Sequence, residues 1–170
     1  MDFLDLAHER YSCRKFSDTP VEQDKIDKII EAAIASPTAV NYQPYKLWII
    51  QNPEDIEKVA QTTPYTFHAP MIFAVGGNPD EAWVRKYDSK NFVDIDAAIV
   101  ATHMMLEIQQ LGLGTTWVGS FDEDKLKEFF PAMNGHHIVA LFPTGYPAET
   151  AHPSKLHTLR KEKDVLVEVL

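Results

Sequence analysis

The stretch Gly112-Leu113-Gly114-Thr115-Thr116-Trp117-Val118-Gly119 decides the fold class by its setting. It begins with the glycine spacing of a dinucleotide-binding fingerprint, which needs a strand before it, a helix after it and a third glycine further on. Here the order is reversed: an apolar helix ends at Gly112, a strand from Thr115 to Gly119 follows, and the third glycine is missing from its place. A Rossmann site is therefore rejected. Gly112 is placed to terminate the helix instead, and Gly119 and Ser120 can leave backbone N–H groups exposed at the strand's end.

Upstream, Asp94 to Gly112 forms the longest helix, with Ile95, Ala98, Ile99, Thr102, Met105 and Leu106 on a mostly apolar stripe. Met71 to Gly76 is an apolar strand closed by the turn formers Gly76-Gly77-Asn78-Pro79, and a polar stretch from Asp80 to Asn91 follows it. Nearer the N-terminus, Thr19, Pro20 and Glu22 read as a capping box with a first-turn proline. Ile26, Ile29, Ile30, Ala33 and Ile34 then give that helix a core face as far as Ser36-Pro37. Lys46 to Gln51 reads as a buried strand, and Asn52-Pro53 starts a short helix carrying Ile56, Val59 and Ala60.

Downstream, Asp122 to Phe130 reads as a short helix, Ile138 to Phe142 as a strand ending at Gly145-Tyr146-Pro147, and Val165 to Leu170 as strand-like. Helices alternate irregularly with four or five strands and nothing repeats, so residues 1–170 read as a single α+β layer sandwich. The linker-like stretch Ala148 to Ser154 leads off a tail, 148–170, whose apolar end needs an edge to pair with, in its own sheet or in a second subunit.

Length and composition suit one globular domain: 170 residues can bury roughly two-thirds of the unfolded surface. The formal charge of -9 argues against nucleic acid, whose phosphates are bound by a Lys/Arg surplus. Cys13 is the sole cysteine, which excludes an internal disulfide, a Cys-x-x-Cys redox pair and a four-cysteine zinc site. An acidic N-terminus and the lack of an apolar run near the roughly 20 residues a membrane span requires point to a cytoplasmic protein with no membrane contact. His136 and His137 are neighbours on a strand and point to opposite faces, so no metal is assigned.

Three groups of residues can carry chemistry. On an extended backbone Arg10, Ser12 and Arg14 share a face, and two guanidinium forks beside a hydroxyl suit a phosphate. The alternative is a solvated polar stretch. Arg160 lies in a second cationic cluster that can close over the same anion, or belong to a solvated tail. The segment Ser36-Pro37-Thr38-Ala39-Val40-Asn41-Tyr42-Gln43-Pro44 is a fixed loop whose Asn41 and Gln43 amides can read a heteroaromatic ring edge, with an ordinary turn as the alternative.

In this order, Arg10-x-Ser12-x-Arg14-x-Phe16, Pro37-Thr38-Ala39-x-Asn41-x-Gln43-Pro44, Gly112-Leu113-Gly114-Thr115 and Gly145-Tyr146-Pro147 resemble the FMN-dependent nitroreductase family over nearly the whole chain. The resemblance implies a three-layer α/β/α sandwich with a mixed, mainly antiparallel sheet of four to five strands. It also implies bound FMN with NAD(P)H as electron donor, in a homodimer that holds two flavins at the subunit interface. Arg10, Ser12 and Arg160 would grip the FMN phosphate, and Arg14 would lie near the ribityl chain and the pyrimidine edge. Val118, Gly119 and Ser120 would pack under the ring, while Pro37, Thr38, Ala39, Asn41 and Gln43 would come from the other subunit.

The expected activity is hydride transfer from NAD(P)H through flavin N5 to a nitroaromatic, quinone or similar flat small-molecule acceptor, by a ping-pong mechanism with no catalytic side chain. An FMN-binding sensor or scaffold, a dehalogenase and a flavin-fragmenting relative are the alternatives. The chain is short for the family, leaving only Asp80 to Asn91 to cover the flavin. Tyr65, Phe67 and His68 stand where the family often adds polar flavin contacts, and either line the acceptor pocket or fill the core.

Overall fold

Strand β2 (Met71–Gly77) is buried along its whole length, as a run of apolar residues between turn formers requires of a central strand. In the computed structural model, which describes residues 2–170, it lies between β1 (Tyr45–Ile50) and β4 (His137–Gly145), with β3 (Gly114–Thr115) outside β4. Every ladder between these strands is antiparallel. Among the described residues the parallel component is a single bridge from Ser12 to Thr115.

Strand alternation makes two cores. Met71, Phe73 and Val75 face helices α2 (Gln23–Ile34) and α4 (Val93–Gln110), while Ile72 and Ala74 face Val59 of α3 (Pro53–Ala60) and Leu126 of α5 (Glu123–Phe129). The result is the expected three-layer α/β/α arrangement, with α1 (Phe3–Glu9) and α6 (Lys163–Leu166) at the chain ends. Asn52 caps α3 by accepting from Glu54 N–H, and Asp122 caps α5 by accepting from Lys125 N–H, both at 3.0 Å.

Four local expectations are corrected. Helix α4 is apolar nearly all round, so periodicity does not choose its face. The core takes Val93, Ala97, Val100, Ala101, Met104 and Ile108, while of the anticipated stripe Ile95, Ala98, Ile99, Met105 and Leu106 are only half-buried and Thr102 is exposed. The capping box does not form: α2 begins at Gln23, and the Glu22 carboxylate accepts instead from the Tyr146 hydroxyl at 2.7 Å. Lys25 completes this clasp by donating to the Tyr146 oxygen at 2.7 Å and to Leu111 O at 3.1 Å.

The strand expected from Thr115 to Gly119 leaves the ladder after Thr115 and touches the sheet again at Val118, whose N–H and O each bond Leu141 at 2.9 Å. Finally, Val165 to Leu170 is not a strand. It joins neither edge of the sheet, β1 or β3, and a local turn forms instead, with Val167 N–H donating to Lys163 O at 2.9 Å.

Glu123 ties α5 to the start of β4, accepting from Ile138 N–H at 2.9 Å and pairing with Lys127 at 2.7 Å. Burial works against its charged form, but the bonds from Lys127 and Ile138 outweigh it and hold the carboxyl below its ordinary value. A depressed carboxylate pKa stabilises the fold above the ordinary carboxylate range, and that stability is lost as pH falls through the lowered value. Glu123→Gln is therefore expected to melt below the wild type at neutral pH, by about 0.5–1 kcal/mol for this half-exposed contact, and to converge with it in strong acid. Melts that differ equally at both pH values would contradict this.

Candidate functional site

The site grows from the segment between α1 and α2. Cys13 N–H donates to Thr115 O at 2.9 Å, laying residues 10–14 along the β3 edge. Gly114 permits the approach, since a Cβ there would stand 2.7 Å from Cys13 Cβ. Cys13 is buried in this contact, and alternation turns its neighbours Ser12 and Arg14 outward.

Arg10, Ser12 and Arg14 line one cavity of about 250 Å³ together with Ser154, His157 and Arg160. The tail reaches this place by turning back on the N-terminal segment: His157 Nε2 lies 3.0 Å from His8 O, and its ring packs edge-on to Tyr11 at 6.4 Å. Arg160 is held by its own turn, donating to His157 O and Leu159 O at 2.7 Å each. The structure thus brings together all four residues expected around a phosphate.

Electrostatics sets this corner apart. Burial and then the Arg160 charge push the Arg10 guanidinium below its ordinary value. Among the described residues, neither these two arginines nor Arg14 takes part in an ion pair. Two guanidinium groups held near each other without a carboxylate form a site complementary to an anion.

Arg14 also lines a second cavity, of about 210 Å³, with Tyr65, Phe67 and the run Thr116 to Ser120. The bowed run is fixed from both sides. Thr63 Oγ1 donates to Ser120 O at 2.7 Å, Asp122 N–H donates to Thr62 O at 2.9 Å, and Trp117 packs edge-on to Phe142 at 5.1 Å. Val118, Gly119 and Ser120 therefore line the same cavity as Arg14, against a wall of aromatic rings. Tyr65 and Phe67, 6.1 Å apart, belong to that wall, and Phe67 packs at the same time against the core beside α3 and α5. Phe67 and His68 adopt left-handed φ values of 53° and 54°, which bulky side chains avoid unless the surroundings impose them.

The loop residues Pro37, Thr38, Ala39, Asn41 and Gln43 lie elsewhere, and line none of the cavities that Arg14 lines. Their loop is nonetheless shaped. Val40, Asn41 and Gln43 have φ values of 55°, 57° and 52°, Gln43 N–H donates to Thr38 Oγ1 at 3.0 Å, and Gln43 Nε2 donates to Asn41 O at 3.2 Å. The anchor is Asp96 of α4, 1% exposed, which accepts from Ala39 N–H at 2.8 Å through Oδ1 while Oδ2 has no partner. Sequence reasoning missed Asp96, which, with Asp94 two residues before it, carries no signal beyond that of an ordinary first-turn acid of α4. It also missed Ser154 and His157, for which the linker-like composition carried none.

Among the described residues no helix is long and apolar enough to cross a membrane, and no three His, Cys, Asp or Glu side chains gather to hold a metal.

Comparison with known proteins agrees with this fold. The model of the nitroreductase family matches residues 7–63 and 60–146. The crystal structure of a nitroreductase family protein from Clostridium difficile 630 is 34% identical, superposes with a TM-score of 0.92, and is covered over 98% of its length by 99% of this chain. A nitroreductase family protein from Clostridium novyi NT is 30% identical with a TM-score of 0.82, the match covering 88% of this chain and 87% of that one. A Bacillus subtilis protein described as FMN reductase (NAD(P)H) is 26% identical over 64% of this chain and 50% of its own length. The chain belongs to the nitroreductase family.

Proposed function

We propose that this chain is an NAD(P)H-dependent FMN oxidoreductase that reduces nitroaromatics, quinones or similar flat acceptors by a ping-pong mechanism, working as a homodimer of single 170-residue domains. The observation that carries this reading is the carboxylate-free cluster of Arg10, Ser12 and Arg160, joined through Arg14 to a cavity walled by aromatic rings. Those residues fit the group: a dianion at one end, a flat apolar ring at the other, and a cation between them. Bound FMN would supply hydride transfer from NAD(P)H to the acceptor.

The chain's own residues do the rest. Arg10, Ser12 and Arg160 bind the phosphate. Arg14 places a fixed positive charge where negative charge grows on reduction, at the N1/O2 edge of the ring, in a position prepared before the reaction. Val118, Gly119 and Ser120 support the ring beside Trp117. No acid or base is required of the protein, and donor and acceptor take turns in one place.

Three features support a dimer that completes the site. The loop carrying Pro37, Thr38, Ala39, Asn41 and Gln43 is preshaped yet serves no cavity around Arg14, and its Val40 and Tyr42 are 64% and 56% exposed. The second apolar face of α4 is half-buried in a single chain. The tail ends in exposed Val165, Leu166, Val167, Val169 and Leu170, which a second subunit's surface can cover.

Purified protein is expected to be yellow and to release FMN, not FAD, on denaturation. Anaerobic NAD(P)H should bleach the visible band, and an added nitroaromatic or quinone should restore it. A colourless protein that cannot be loaded with FMN would sink the cofactor assignment, and a bound flavin that does not bleach would leave binding without turnover.

A further inference from the structure

Arg14 and Phe67 line a third cavity, of about 610 Å³, that adjoins the ring cavity through them. Its other polar walls come from Lys15, Thr63, Thr66, His68 and Thr150. The chain carries 25 Asp and Glu against 16 Lys and Arg, yet no carboxylate lines any of the three cavities, whereas Arg10, Arg14, Lys15 and Arg160 all do. Such segregation in an acidic protein focuses positive potential on one corner.

The flavin phosphate accounts for Arg10, Ser12 and Arg160, and the flavin edge for Arg14. Lys15 remains. It forms no ion pair among the described residues, and its backbone is fixed: its carbonyl accepts from Ala148 N–H at 3.1 Å and from the Cys13 thiol at 3.3 Å. A lysine on a fixed extended segment, lining a cavity of ligand size with His68 and three threonines, offers an ammonium that matches an anionic head group.

We propose that this cavity is a subsite for the anionic end, a carboxylate or a phosphate, of the molecule that exchanges electrons in the adjoining ring cavity. Its catalytic meaning rests on the FMN reading above, but its binding chemistry does not. A carboxylated acceptor and the 2′-phosphate of NADPH are the two sources of such a group, and they are separable.

Calorimetric titration of the purified protein with benzoate and with adenosine 2′-monophosphate, each beside its uncharged counterpart benzamide or adenosine, tests the subsite. At least one anion should bind more tightly than its counterpart. Lys15→Ala should weaken that anion about five- to tenfold, Lys15→Arg should restore it, and the FMN content should stay unchanged. Weakening of benzoate assigns the subsite to an acceptor's carboxylate, and weakening of adenosine 2′-monophosphate assigns it to the donor's phosphate. Failure of both anions to bind the wild type, or equal binding to wild type and Lys15→Ala, would overturn the proposal. A colourless protein that still binds benzoate through Lys15 would remove the flavin reading and leave the subsite standing.

Discussion

Arg10→Ala is expected to lower FMN affinity about 100-fold while leaving the flavin-free protein as stable as the wild type, or slightly more so. Arg10 is part-buried, its charge is disfavoured first by burial and then by Arg160, and no carboxylate offsets either effect. In the flavin-free protein its removal relieves repulsion. With a dianion bound, the same change deletes a charge-assisted bidentate contact of about 2–3 kcal/mol, which is the stated fold-change. Flavin content after extensive dialysis, read beside the melting temperature of the stripped protein, separates the two effects. A variant that keeps its flavin through dialysis would show that the phosphate lies elsewhere.

The second large effect is expected far from that corner. Asp96→Ala leaves Ala39 N–H without its buried acceptor, and the loop loses a hydrogen bond that fixes it to α4. Val40 is β-branched and sits at φ 55°, a conformation that persists only when the surroundings impose it. Releasing about 2 kcal/mol of restraint should speed amide hydrogen exchange across residues 38–43 about 30-fold. If the partner's loop borders the flavin, FMN retention should fall as well, whereas Asp96→Asn, which keeps an oxygen for Ala39, should preserve much of both. Exchange that is unchanged in Asp96→Ala would show that the loop is held by other means.

Much of this architecture was legible in the residues, and the failures share a cause. The strand at Met71–Gly77 and the capped helix start at Asn52-Pro53 were readable because local chemistry alone determines them. Long-range partners decided the rest. Glu22 is drawn from a local cap to Tyr146, 124 residues away, and α4 offers two apolar faces whose ranking depends on which neighbour arrives. The Thr115–Gly119 run leaves the ladder after Thr115 and meets β4 again at the Val118–Leu141 bridge, which no pattern within the run records.

The site divides in the same way. Alternation along an extended backbone correctly put Arg10, Ser12 and Arg14 into one cavity, but Arg160 joins them only because the tail folds back through His157, a contact with no signature in a linker-like segment.

The segment bearing Arg10, Ser12 and Arg14 is stitched to the sheet by Cys13 N–H on Thr115 O, Ser17 N–H on Tyr146 O and Ala148 N–H on Lys15 O. Its cations are thus in place before any ligand comes near. Folding, not binding, supplies the work of crowding like charges together, so an arriving anion meets a finished field and needs no rearrangement to be captured. Encounter is then governed by diffusion and ionic strength, salt slows arrival far more than it hastens departure, and how long the cofactor stays is written almost wholly in the rate at which it leaves.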